Sequence, residues 1–222
     1  MEKWVKGFFF GLLVFGLVLA GRVETVADQK PILVILPFFV EKEEDPARGA
    51  ICPVCKNVYQ RGDVVPGSQN TLTRLLYQKT EAIGTFRIIP LEEAEKILSP
   101  SVRRQFEQKP IATAIQIGKE LYADFISVEY LFRFEERVGS SLGVQKPASV
   151  GFDLHLFRTR DGMEVWKGKF DETQKPLSDN VLKIGSFFRR KAAWVTAEEL
   201  ASDGMDEMLK KLPEPKELEE RR

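Results

Sequence analysis

The chain has 222 residues, 43% of them apolar and 30% charged, the balance of a globular protein and not of a disordered or fibrous one. Its 33 basic residues match its 33 acidic ones, so the formal net charge is zero and nothing argues for a nucleic-acid partner, which needs a basic surface. A single histidine, His155, removes most zinc and multi-histidine metal chemistry, while 16 phenylalanines can furnish a large core.

At the amino terminus, Lys3 and Lys6 precede an uncharged Phe- and Leu-rich run from Gly7 to Gly21, closed by Arg22. This pattern reads as a signal peptide over residues 1–21. The run is about 15 residues, short of the roughly 20 that a membrane-spanning helix needs. Val18-Leu19-Ala20 fits the small-residue cleavage rule, with Thr25-Val26-Ala27 as a second site. The alternative is an uncleaved anchor with Lys6 and Arg22 reaching the two interfaces. Arg22 stands where a lipoprotein cleavage box needs cysteine, so no lipid anchor is expected. The expected location is therefore the periplasm or cell envelope.

Downstream, Ile32 to Val40 is a continuous apolar run that predicts a central strand buried on both faces, with Pro37 near its end. An acidic loop from Glu41 to Ala50 leads to Cys52-Pro53-Val54-Cys55. Helical spacing of Leu72, Leu75, Leu76 and Ile83 predicts a helix over 71–83. A short strand is expected at Phe86–Ile89 and a short helix at Leu91–Leu98, with Glu92 and Glu93 in its first turn. A third helix over Ile111–Tyr122 would turn Ile111, Ala114, Ile115, Gly118, Leu121 and Tyr122 inward.

The period then changes to two. Ile126, Val128, Tyr130, Phe132 and Phe134 alternate with more polar residues, predicting a half-buried strand. Val150 to Leu156 predicts another, with Asp153 and His155 on its polar face. Asp161-Gly162 predicts a hairpin turn into a partner strand over Met163–Phe170. Gly139–Pro147 reads as a flexible connection. Ser178 can cap a helix reaching Phe188, and Thr196 with Glu199 forms a capping box for the last helix. That helix would bury Ala197, Leu200, Ala201, Met205, Met208 and Leu212. The expected architecture is one α/β (α+β) domain over residues 31–212, a single mixed sheet with helices packed on it. Residues 213–222 read as a charged, frayed tail.

Cys52 and Cys55 are the sharpest chemical feature. An exported location favours a disulfide. A metal site, zinc by its Cys-x-x-Cys spacing, needs four ligands, and the chain has no other cysteine; it would require a dimer or borrowed acidic ligands. A redox dithiol usually sits at a helix start directly after a strand, and here a loop precedes the pair. Gly139-Ser140-Ser141-Leu142-Gly143 matches the serine nucleophile pattern, with Asp153 and His155 following in hydrolase order. Its context is wrong, because the elbow must join a strand to a helix. Glu41–Asp45 reads as a solvated charge run that could hold a cation. Arg189-Arg190-Lys191 reads as a basic cluster at a helix end. No catalytic residues and no cofactor-binding residues are assigned.

Ile32-Leu33-Val34-Ile35-Leu36-Pro37-Phe38 resembles the opening strand of a bacterial envelope group that includes the TolB amino-terminal domain, CsgG and LpoB. Two further segments resemble that group: Ile117 to Ile126, where a helix ends in Ala123-Asp124 and starts a strand, and the turn Asp161-Gly162-Met163-Glu164-Val165-Trp166. The resemblance spans about Pro31 to Phe170 and extends to lipoprotein-like members without an assigned role. It implies a TolB-amino-terminal-domain-like fold and a protein that binds envelope partners rather than an enzyme. The Cys52/Cys55 loop lies outside the shared pattern. The expected function is thus a non-enzymatic periplasmic or envelope-associated protein that recruits an envelope partner. The alternative is a thiol, disulfide or metal-binding protein using Cys52 and Cys55.

Overall fold

A computed structural model describes residues 29–41, 49–175 and 194–221. The leader, most of the acidic loop, the helix expected at Ser178–Phe188 and the Arg189–Lys191 cluster lie outside the described residues. Among the described residues, no helix is long and apolar enough to cross a membrane.

Ten strands and six helices are described. In chain order they are β1 (Ile32–Ile35), β2 (Phe39–Val40), β3 (Ala50–Ile51), β4 (Val58–Tyr59), α1 (Ser68–Ile83), β5 (Arg87–Ile88), α2 (Leu91–Ile97), α3 (Pro100–Gln108) and α4 (Pro110–Glu120). There follow β6 (Phe125–Glu135), β7 (Val138–Gly139), β8 (Val144–Lys146), β9 (Ser149–Arg158), β10 (Met163–Thr173), α5 (Ala197–Leu209) and α6 (Pro215–Glu220). The main sheet runs β10-β9-β6-β1-β5, with β2 also pairing β6. β1 is parallel to β5 and β6, while β6, β9 and β10 form an antiparallel meander, so the sheet is mixed as expected.

Each face of the sheet carries its own core. On one face, Leu72 and Leu76 of α1 and Leu200, Ala201 and Met205 of α5 pack on Leu33, Ile35, Phe152 and Leu154. On the other, Ala94, Phe106, Ala114 and Ile117 from α2, α3 and α4 pack on Val34, Ile126, Val128 and Phe157. Tyr59 and Cys52 of the β3–β4 hairpin join this second face.

The apolar run at Ile32–Val40 is two strands, not one. Pro37 has no amide to donate. The chain leaves the ladder there, and the Phe38 amide is satisfied by the Thr73 hydroxyl at 2.9 Å before β2 rejoins β6. β6 and β9 are not half-buried. Both are covered on two faces, so Ser127, Glu129, Arg133, Asp153 and His155 are buried beside the apolar residues that alternate with them. Residues 139–147 form the small β7–β8 hairpin instead of a loose connection.

The helices depart from expectation at three places. α3 adds a helix that apolar periodicity does not predict, capped by Ser99 through the Val102 amide and opened by Pro100. α4 turns Thr113, Ala114, Ile117 and Gly118 inward and leaves Ile111, in its first turn, 38% exposed; Tyr122 is 86% exposed, because the helix ends at Glu120 and Tyr122 takes a positive φ of 52°. Likewise, Ile83 ends α1 on its exposed side. The capping box at Thr196 and Glu199 is present as expected, and α5 buries Ala197, Leu200, Ala201, Met205 and Met208. Gly204 of α5 admits the Phe170 ring where a Cβ would lie 2.5 Å from it.

The carboxyl-terminal residues are not a frayed tail. Pro215–Glu220 forms α6, Leu218 is fully buried, and the Arg158 guanidinium donates to the carbonyls of Leu218, Glu219 and Arg221 at 3.1, 2.6 and 3.0 Å. Those carbonyls are the acceptors that a helix end leaves without intrahelical partners.

Candidate metal site

The β3–β4 hairpin turns through Cys52-Pro53-Val54-Cys55-Lys56. The Lys56 amide donates to the Cys52 carbonyl at 3.0 Å, and the Cys52 amide donates to the Asn57 carbonyl at 2.9 Å. Lys56 takes a positive φ of 61°, which lets the chain double back. This closed turn points both cysteine side chains at the sheet. The amides of Val54 and Cys55 also aim at Cys52 Sγ, at 3.3 and 3.4 Å. Amide donors around a sulfur favour its thiolate.

Facing the turn are two residues of β9. Strand alternation sets Asp153 and His155 two apart on one face, and β6 and β10 on either side keep both buried. Cys52 Sγ lies 3.3 Å from His155 Nε2, which lies 3.2 Å from Asp153 Oδ2. Cys55 Sγ is 3.7 Å from the same oxygen. One ligand atom from each of the four residues falls within 4.8 Å of all the others. Both cysteines are free thiols.

These spacings match a coordination polyhedron. Bonds of about 2.0 Å to nitrogen or oxygen and about 2.3 Å to sulfur set tetrahedral edges of about 3.3 Å for N–O and about 3.5 Å for S–N or S–O. The remaining hydrogen bonds fit the same geometry. Glu164 Oε1 sits 2.6 Å from His155 Nδ1, placed to accept an Nδ1 proton; a neutral imidazole held this way would turn the Nε2 lone pair toward Cys52 and Asp153. Acceptors at such distances repel unless a proton or a cation lies between them. Asp153 Oδ2 accepts from the Tyr59 hydroxyl at 2.9 Å, and Asp153 Oδ1 is buried with no hydrogen-bond partner. Tyr59 is itself held by stacking on Phe132, with ring centroids 3.9 Å apart, and by Lys169 Nζ 4.4 Å over its ring.

Without an ion, the surroundings bias the protonation of Cys52, Tyr59 and His155. Burial, then the Asp153 charge, pushes the Cys52 thiol far above its ordinary range. The same two causes hold Tyr59 as a neutral donor. For His155, burial works against the imidazolium, but Asp153 and Glu164 outweigh it and raise its pKa. A divalent cation bound to the two sulfurs would reverse the first shift, because coordination favours the deprotonated ligand.

The sequence-level candidates therefore sort cleanly. Cys52 and Cys55 meet Asp153 and His155, so the further ligands that a metal site would need beyond two cysteines are available from β9 of the same chain. The serine nucleophile pattern is not joined to them. Ser141 lies exposed at the β7–β8 turn, and the His155 ring nitrogens face Cys52, Asp153 and Glu164. Sequence reasoning missed Tyr59 and Glu164. Their only local signal was register, since Glu164 reaches His155 across the β9–β10 pair.

A second buried acid stands on the opposite face of the sheet. Glu129 is fully buried among Leu33, Ile35, Leu154 and Trp166, beside a cavity of about 30 Å³, and neither carboxylate oxygen has a hydrogen-bond partner. Burial raises its pKa well above the usual carboxylate range; the nearby Ser127 hydroxyl opposes the shift and the Asp153 charge adds a smaller push upward.

No protein-family model and no curated protein matches the chain. Among solved structures, the chain is similar to the PelC dodecamer subunit from Paraburkholderia phytofirmans at 12% identity and a TM-score of 0.44, over 89% of this chain and 92% of that one. It is similar to the hypothetical protein CT253 from Chlamydia trachomatis at 13% identity and a TM-score of 0.47, over 82% and 95%. It is also similar to the LpoB C-terminal domain from Salmonella enterica at 13% identity and a TM-score of 0.39, over 68% and 87%. LpoB is one of the proteins that the sequence motifs resemble. At these identities and TM-scores, none of the three assigns a function to this chain.

Proposed function

We propose that the chain is an exported, non-enzymatic α/β protein of the cell envelope, built around a structural zinc-type site formed by Cys52, Cys55, Asp153 and His155. The observation that carries this reading is the convergence of four ligand atoms of the right chemistry within 4.8 Å of one another. Two sulfurs, one imidazole and one carboxylate suit zinc among common divalent ions, since thiolates disfavour magnesium and calcium. All four tetrahedral positions come from the protein. No position is left for water or substrate, which is the pattern of a structural rather than a catalytic ion.

The ion would fasten the β3–β4 hairpin to the sheet. That hairpin has only two residues per strand and could not hold its shape alone. Its outer face presents the cross-strand pair Ile51 and Val58, both exposed. The leader sequence supports an extracytoplasmic address, and an envelope partner docking on this face fits an apolar pair displayed on a fixed hairpin. Metal analysis of the full chain, purified under reducing conditions and supplied with zinc, tests the site. The expected result is one zinc per chain, lost in Cys52→Ser. Sub-stoichiometric zinc that is unchanged by Cys52→Ser would overturn the reading.

A further inference from the structure

We propose that Cys52 and Cys55 form an oxidative modification site, in which a disulfide between them and metal occupancy exclude one another, with a small-molecule disulfide of the glutathione type as oxidant. The inference rests on the metal reading above and adds a chemical route by which the ion leaves.

Three observations carry it. The two thiols are free and lie on one closed turn, with sulfurs no more than 4.8 Å apart. Side-chain rotation within the turn is the motion needed to bring them to the bond length of about 2.05 Å. Their exposure is unequal: Cys52 is wholly buried, whereas Cys55 is partly open. Beside the turn, Ile51, Cys52, Pro53, Lys56 and Phe106 border an open groove of about 660 Å³, which Cys55 does not line. Cys55 is the one of the two with solvent exposure, so an oxidant in solution meets it first. Finally, the other two ligands have partners besides the sulfurs. Tyr59 donates to Asp153 at 2.9 Å, and Glu164 holds His155 at 2.6 Å, so both stay hydrogen-bonded after the ion departs.

The exchange balances without other reactants. The Cys55 thiolate attacks one sulfur of the external disulfide, whose S–S bond breaks and releases one thiolate. The Cys52 thiolate then attacks the Cys55 sulfur of the mixed disulfide and displaces the second external thiolate. Two electrons pass from the protein sulfurs to the oxidant, and the two released thiolates take protons from solvent. The ion keeps only Asp153 and His155, too few ligands to hold zinc, and dissociates. An external dithiol runs the sequence backwards.

The test uses the full chain, reduced and loaded with one equivalent of zinc, then treated with oxidised glutathione. Released zinc is read with a chromophoric chelator, thiols by titration and the product by mass. We expect zinc and two thiols to be lost together, the mass to fall by two hydrogens relative to the reduced metal-free chain, and dithiothreitol to restore zinc binding. Zinc that stays bound with both thiols intact would overturn the inference while leaving the metal reading in place. A stable glutathione adduct on Cys55 would overturn it too, because Cys52 would then have failed to resolve it. A reduced chain that takes up no zinc before oxidant is added would remove the metal reading and this inference with it.

Discussion

Glu164 touches no candidate metal ligand atom, yet it decides which nitrogen of His155 is free. Placed 2.6 Å from Nδ1 to accept its proton, it would leave Nε2 as the nitrogen free to bind an ion. Loss of such an outer carboxylate typically costs 10–100-fold in metal affinity. We expect Glu164→Gln to weaken zinc binding by about that factor in a competitive chelator titration, with stoichiometry unchanged. Glu129 obeys a different rule. Its folded pKa is raised, so above the unfolded value of about 4.3 the folded state holds a proton that the unfolded state has released. Stability from this group is full below that value and falls as pH rises. Glu129→Gln should therefore flatten the pH dependence of unfolding and stabilise the protein at pH 8; urea denaturation at pH 5 and pH 8 reads both effects. A variant less stable than the parent at pH 8, with the same pH slope, would show that Glu129 is ionised in the fold.

At the scale of elements, the β3–β4 hairpin is the piece that a bound ion would fasten. Stripping the ion with a chelator should speed amide exchange in Ala50–Tyr59 while β6 and β9 in the sheet centre stay protected, as hydrogen exchange with mass spectrometry would show. The α5 cap gives an independent check: Thr196→Ala removes one half of the capping box and should cost about 1 kcal/mol by denaturant unfolding, without touching metal content. Elements with strong local signals were legible beforehand. Thr196 and Glu199 announced α5, and Asp161-Gly162 announced the β9–β10 turn. α3 was not, since Val102 and Phe106 are its only large apolar residues and its polar remainder masks the period. β6 showed a clean alternation, but periodicity cannot report that Glu129 and Arg133 are buried, because that follows from what covers the second face of the sheet. Arg133 is tolerated there by contacts that no local pattern encodes: Asp171 at 2.8 Å, Ser149 Oγ at 2.6 Å and the Gln60 carbonyl.

For the molecule as a whole, the mixed sheet with helices on it was readable from element order, and the site was only half readable. Cys52 and Cys55 stood out by spacing. Asp153 and His155 stood out too, but as members of a hydrolase pattern with Ser141. Their meeting spans about a hundred positions of chain and depends on β9 lying beside β6 and under the hairpin. No local signal records that distance; a count of available ligands, with one histidine and no third cysteine, was the sole clue. The central claim is that these four residues bind one ion in a closed tetrahedral shell. X-ray absorption at the zinc edge of the zinc-loaded full chain tests it most directly. The account predicts two sulfur scatterers at about 2.3 Å and two nitrogen or oxygen scatterers at about 2.0 Å. A shell of nitrogen and oxygen alone, or one with five or six ligands, would contradict it.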